Sequence, residues 1–191
     1  MLVLFCAYLL WGTGAYTERH QRVLQRRLLA APAPGPAPTG LGPVHLGGAV
    51  ALIRIPRFGG DYRFAIVEGV DAERLREGPG HYPGTALPGH VGNFVVSGHR
   101  TTYGAPFNRL AELRRGDPIL IDTAAARYTY RVTSSEVVDP WDLGVVAAVP
   151  GRPGARPARA LITLTTCNPE FSARQRLVIH GELDSTRRRE S

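Results

Sequence analysis

From Gly47 onward the apolar positions come in short runs, several of them alternating with polar residues at a period of two, and Gly and Pro separate the runs. That pattern predicts strands rather than helices. The runs are Val50–Ile55, Arg63–Val67, Val91–Ser97, Pro118–Asp122, Arg127–Val138 with a break near Ser134, Ala160–Thr166 and Arg176–Leu183. Seven or eight short strands in one stretch predict a mostly-β, closed or nearly closed barrel, because an open sheet of that many strands would leave its edges exposed. Helical spacing is confined to Ala72–Arg76 and to Pro106–Leu113, which carries Phe107, Leu110 and Leu113 on one side.

Upstream the pattern changes twice. Leu2–Tyr16 carries no charge, and Tyr8, Trp11 and Tyr16 are placed like an aromatic belt at a membrane boundary. A spanning helix takes roughly twenty residues, so residues 1–16 read as a transmembrane segment whose natural chain starts further upstream. The run lacks both the basic n-region and the small-residue cleavage site of a removable signal. Upstream residues would also carry the cytoplasmic charges that the positive-inside rule otherwise assigns to Arg19–Arg27. Residues 17–46 follow as a juxtamembrane helix, with Val23, Leu24, Leu28 and Leu29 as an apolar stripe, and then a spacer. Ala31–Pro43 holds five prolines and three glycines, which suits a semi-rigid tether. Residues 47–185 then form one domain and residues 186–191 a basic tail, since 191 residues leave room for a single core.

Charge and cysteine content narrow the function. The net charge of +7 comes largely from Arg19, Arg22, Arg26 and Arg27 and from Arg187–Arg189, which flank the domain. No zinc pattern, aromatic-basic motif or basic helix face accompanies it, so nucleic acid is excluded and an anionic envelope surface is the expected partner of the basic residues. The two cysteines are Cys6, inside the apolar run, and Cys167. No disulfide framework is available, and Cys167 is left as a free thiol.

Strand alternation puts Thr163, Thr165 and Cys167 on one face and Ile162, Leu164 and Thr166 on the other, with Asn168-Pro169 ending the strand behind the cysteine. A thiol so placed is held by a sheet yet open to a cleft, although a lone cysteine also serves as a small buried hydrophobe. An ordinary thiol is only a few per cent thiolate at neutral pH and needs a base or a cation beside it. Of the six histidines, His99 alone combines a strand end with a following loop, TTYGAP, that borders a cleft. Arg176 opens the strand RLVIHGEL nine residues after Cys167, so two antiparallel neighbours bring thiol and guanidinium together, with Arg174 as a competitor. A guanidinium there lowers the pKa of a thiol and donates to the oxygen of a tetrahedral intermediate. Asp71, Glu73 and Glu77 match no calcium-loop spacing. Trp141 is expected to fill a core gap.

The motifs TLTTC at Thr163–Cys167, SGHR at Ser97–Arg100 and the arginine strand at Arg176 resemble the sortases. More narrowly, LLWGTGAYT (Leu9–Thr17), GPGHYPGTALPG (Gly78–Gly89), GHRTTYGAPF (Gly98–Phe107) and TTCNPEFSARQR (Thr165–Arg176) resemble class E, the housekeeping type of high-GC actinobacteria. The resemblance implies an eight-stranded sortase barrel behind an N-terminal membrane helix, with the domain on the extracellular face of a single-pass membrane protein. It implies a cysteine transpeptidase in which Cys167 attacks the Thr–Gly bond of an LAxTG- or LPxTG-like sorting signal on a surface protein. Arg176 then stabilises the oxyanion and His99 moves the proton. A primary amine of the lipid-linked peptidoglycan precursor resolves the thioester, without metal or cofactor. Tyr82 and Thr166 are the expected substrate contacts, Tyr82 facing the residue after the leucine of the signal. A pilin-polymerising sortase is the neighbouring reading, but Ala31–Pro43 lacks the Asp-Pro-type lid motif. An L,D-transpeptidase would show Ser-x-Gly-Cys where this chain has Thr165-Thr166-Cys167. A non-enzymatic barrel module, with Cys167 in its core, is the third reading.

Overall fold

A computed structural model of the chain describes residues 13–30 and 48–189. Helix α1 (Thr13–Ala30) precedes strands β1 (Ala49–Arg54) and β2 (Arg63–Glu68), a short helix α2 (Ala72–Glu77), and strands β3 (Gly80–His81), β4 (Gly92–Ser97), β5 (Pro118–Asp122), β6 (Ala126–Val138), β7 (Ala160–Asn168) and β8 (Gln175–Arg188). The strands close into a barrel in the order β1-β2-β3-β4-β7-β8-β6-β5. This is the mostly-β, eight-stranded closed architecture that the short alternating runs predict. Two pairings are parallel, β2 with β3 and β4 with β7. Alternate residues such as Ile53, Ile66, Phe94, Ile121, Tyr130 and Leu164 fill one buried core, and sequestering an aliphatic side chain of this kind contributes about 1.5–3 kcal/mol.

The expected strands are found, with differences that have local causes. The break near Ser134 is a register shift between Val132 and Ser134 inside a continuous β6. β8 runs past Leu183 to Arg188, where Arg187 and Arg188 pair with Arg127 and Ala126. Residues 186–188 therefore belong to a strand rather than a tail, and their all-polar sequence carries no alternation to reveal it. β3 carries no signal in the sequence, because the two residues Gly80 and His81, between Pro79 and Tyr82, give no period. The helix expected over Pro106–Leu113 is only a short 3-10 turn, Leu110–Glu112. Phe107, Leu110 and Leu113 do enter the core, but the Phe107 N–H donates to the His99 carbonyl and the next bonds are of the i to i+3 kind, Asn108 to Ala105 and Leu113 to Leu110. Trp141 is 85% exposed and fills no core gap. It sits in a tight turn after β6 where its N–H donates to Asp139 Oδ1 at 2.9 Å, and that turn carries the indole outward.

The span expected over residues 1–16 lies outside the described residues except for Thr13–Tyr16, which form the first turn of α1. The spacer Ala31–Pro43 also lies outside them. No described helix is long and apolar enough to cross a membrane. α1 packs on the outer face of the barrel, where Leu24 meets Ala65 and Val67 of β2. β2 is thus covered on both sides, which is why its sequence reads as a nearly continuous apolar run rather than a clean alternation. Of the expected stripe, Leu24 and Leu28 are buried while Val23 and Leu29 are exposed. The rest of the buried face is polar. Gln21 donates from Nε2 to the carbonyls of Ala65 and Glu77, both at 2.9 Å, and accepts from the Ala65 N–H at 2.6 Å. One side-chain amide therefore satisfies a strand residue that the two-residue β3 is too short to reach.

Candidate active site

The parallel pairing of β4 with β7 sets the site. Ser97 is the Cα partner of Thr165, so His99, two residues past the end of β4, and Cys167, two residues further along β7, fall at the same level. On the other side of β7, Cys167 is the Cα partner of Arg176. Imidazole, thiol and guanidinium thus stand in one row across β4, β7 and β8. All three line a single cleft of about 310 Å³, together with Tyr82, Thr166, Leu75 and Val70. A larger cleft of about 660 Å³ elsewhere is lined by arginines, Asp122 and Leu29 and holds no nucleophile.

Cys167 is half-buried and unpaired as a thiol, so it is not sealed in the core. Arg176 Nη1 donates to the carbonyls of Ala173 and Gln175, both at 3.0 Å, which fixes the guanidinium at the rim of the cleft. Arg174 is exposed on the preceding loop and lies outside the cleft lining. Burial, and after it the charge of Arg76, holds the His99 imidazole below the ordinary histidine value. Near neutral pH that keeps the ring unprotonated and able to accept a proton.

Tyr82 lines the cleft from a loop that is tied down at its base. Its N–H donates to Val95 at 2.9 Å. The preceding residue, His81, is sequestered inside β3 and its ring stacks 5.1 Å from Phe94. His81 Nδ1 lies 2.6 Å from Glu68 Oε2, while Nε2 lies 3.1 Å from the Ala86 carbonyl and 2.9 Å from Thr85 Oγ1. The Thr85 hydroxyl gives its own proton to the Tyr82 carbonyl at 2.6 Å, so it accepts from His81. Nε2 thus faces two acceptors, the Ala86 carbonyl and the Thr85 hydroxyl, while Nδ1 faces the Glu68 carboxylate. Read along the sequence, His81 is one histidine of a Gly/Pro loop; in the fold it is the bracket of that loop. Thr166 is only 3% exposed, and its hydroxyl donates to the Gly98 carbonyl at 2.8 Å. It braces the Cys167 strand against the segment carrying His99, and its hydroxyl is committed there. The carboxylates of Asp71 and Glu77 are also spent locally, Asp71 as the N-cap of α2 and Glu77 on Arg74.

One contributor escaped the sequence reading. Arg100 follows His99 and is buried, and its Nη1 donates to the Cys167 carbonyl at 3.1 Å and to Asn168 Oδ1 at 2.8 Å, with Glu170 3.7 Å from Nε. The SGHR motif contained the signal, an arginine just past a strand end and four residues beyond an apolar run, but nothing local distinguishes a clamp from a solvated charge. Arg100→Met removes both bonds and takes this donor from a part-buried carbonyl, so it is expected to cost about 1.5–3 kcal/mol of stability. Thermal and urea unfolding of the variant against the parent measure that loss. Gly98 is equally constrained, since a Cβ there would meet Phe107 Cδ2 at 2.7 Å.

The comparisons with known proteins agree with this geometry. The family model that matches is the Sortase domain, over residues 53–184. Sortase SrtE1 of Streptomyces coelicolor is 32% identical across 99% of this chain, and the chain spans 55% of that protein's length, about half of it. Among solved structures, the SrtF sortase from Corynebacterium diphtheriae superposes with a TM-score of 0.75 at 31% identity, covering 85% of this chain and 94% of that one. Sortase E1 from Streptomyces coelicolor with a tripeptide in the active site gives 0.68 at 37% identity, covering 75% and 92%. With a matching family model over most of its barrel and class E sortases among its relatives, the chain belongs to the sortase family.

Proposed function

We propose that this chain exchanges peptide bonds through Cys167, cleaving between Thr and Gly of an LAxTG- or LPxTG-like sorting signal and passing the Thr carbonyl to a primary amine. The observation that carries the reading is the single row of imidazole, thiol and guanidinium at one cleft. The Cys167 thiol passes its proton to the neutral His99 as its sulfur adds to the Thr carbonyl carbon, and the developing oxyanion takes hydrogen bonds from Arg176. His99 gives a proton to the departing glycine amine as the C–N bond breaks, which leaves a thioester on Cys167. The neutral His99 then accepts a proton from the incoming amine, whose nitrogen attacks the thioester, and the imidazolium returns that proton to the departing Cys167 sulfur. Each proton leaves and returns through one imidazole.

Tyr82 is the side chain placed to meet the residue after the leucine of the signal, where alanine leaves space beside the phenol. The incoming amine belongs to a lipid-linked cell-wall precursor, and the donor is a surface protein. Tethering the domain to the outer face of the membrane confines both substrates and enzyme to one surface, which raises their effective concentration without new contacts. The related Sortase E1 with a tripeptide in its active site supports a peptide substrate. The test is to incubate the full chain with LAxTG and LPxTG peptides and a glycine-bearing amine, following products by mass spectrometry. Transfer of the amine, faster with the LAxTG peptide, is the expected result; no cleavage of either peptide would remove the proposal.

A further inference from the structure

The face that α1 turns to the barrel is unusual for a docked helix. Thr13, Thr17 and Gln21 are buried on it at 5%, 0% and 4% exposure, while Val23 and Leu29 face outward. Burying polar groups costs free energy unless each finds a partner, and the apolar contact of Leu24 and Leu28 alone would hold a merely adhesive helix. Here the partners include backbone groups of α2 and of the loop after β4, beside the Thr13 carbonyl of the same helix, 3.1 Å from Thr17 Oγ1. Thr17 Oγ1 donates to the Arg76 carbonyl at 2.7 Å, and the Tyr103 N–H donates to Thr13 Oγ1 at 3.4 Å. Gly104 lies so close that a Cβ there would sit 3.3 Å from Thr17 Cγ2. Hydrogen bonds are directional, so they set the rotation and height of the helix in a way apolar contact does not.

Both threonines land on the residues next to the imidazole. The Arg76 guanidinium carbon lies 5.8 Å from the centroid of the Tyr103 ring. The Tyr103 ring in turn lies 5.0 Å from the His99 ring, at an interplanar angle of 39°. The backbone of Tyr103 has a φ of 51°, a conformation that a bulky residue holds only when its surroundings enforce it. A continuous line of contact therefore runs from the inner face of α1, through Thr13 and Thr17, to Arg76 and Tyr103 and on to His99.

We propose that α1 is a positioning element for the His99 imidazole, acting through Arg76 and Tyr103 rather than touching substrate itself. The helix that leads from the N-terminal apolar segment is then part of the catalytic apparatus, and an active domain needs it docked. The proposal rests on the role given to His99 above. The other titratable or charged groups sharing the imidazole's cleft are Cys167, Arg176 and Tyr82, with Arg76 and Tyr103 behind the ring.

The test uses the full chain carrying Thr17→Val, Thr17→Ser or Arg76→Met, with His99 followed by NMR titration of its ring nitrogens alongside steady-state transfer kinetics. Arg76→Met removes a cation that disfavours the imidazolium, so the His99 midpoint is expected to rise; Thr17→Val, nearly isosteric, moves it the same way by less. Loss of one net hydrogen bond at Thr17 corresponds to a fall of roughly fivefold in kcat with KM little changed, and Thr17→Ser restores the parent values. A His99 midpoint that stays with the parent in Arg76→Met and Thr17→Val, whatever happens to the melting temperature, overturns the proposal and leaves α1 a structural dock. The titration needs no substrate, so a parent chain that transfers no peptide refutes the transpeptidase reading without deciding this one.

Discussion

Replacing Cys167 with alanine is expected to abolish both the proposed acyl-enzyme and peptide transfer, with a loss in kcat of at least about a thousandfold. No other atom in the row supplies a covalent bond: the imidazole and guanidinium beside it accept and donate protons or hydrogen bonds. The variant is expected to fold, because Cys167 is held in β7 by its pairing opposite Arg176 and by Arg100 on its carbonyl, and both arrangements survive loss of the sulfur. Product analysis by mass spectrometry and the melting temperature, measured on the same preparation, separate lost chemistry from lost fold. Residual transfer near the parent rate would assign the nucleophile elsewhere.

The second large effect is at Arg176. Its guanidinium is the cleft's fixed cation opposite Cys167, and removing one donor to a developing oxyanion costs about 2.7–4 kcal/mol, or roughly a hundred- to a thousandfold in kcat. Arg176→Ala should show that loss chiefly in kcat, since the charge it stabilises develops only after substrate is bound. Arg176→Lys recovers only part of it, because an ammonium lacks the planar fork that donates two bonds from one direction. Arg174→Ala, altering an exposed side chain outside the cleft lining, stays near the parent. Equal activity of Arg176→Ala and parent would shift the oxyanion role to backbone donors or to Arg174.

The barrel and the chemical row were legible because both depend on strand periodicity, which is local. Alternation located Cys167 and Thr166 on opposite faces, and a nine-residue step to Arg176 fits one tight antiparallel return. What linked His99 to Cys167 was not local at all: β4 and β7 are separated by more than sixty residues and meet in parallel, and only the family resemblance supplied that pairing in advance. The remaining differences follow the same division. The short β3 and the polar end of β8 have no hydrophobic period, so tertiary pairing alone defines them. The indole of Trp141 is set by a turn hydrogen bond rather than by its hydrophobicity. Only half of the expected stripe on α1 is buried, because Thr17 and Gln21, unremarkable in a sequence, are bonded to the backbone of α2 and β2. His81 and Arg100 likewise become brackets only when their distant partners, Glu68 and Cys167, are brought beside them.

The covalent intermediate is the most direct point of attack on this account. The chain is incubated with an LAxTG-containing peptide in the absence of any amine, quenched in acid and weighed intact, then digested to locate the adduct. The predicted result is a gain equal to the peptide acyl group ending at Thr, carried on Cys167 and removed by hydroxylamine. A chain that cleaves the peptide yet never carries that mass, or that carries it on a residue other than Cys167, would contradict the row of sulfur, imidazole and guanidinium as the seat of the reaction.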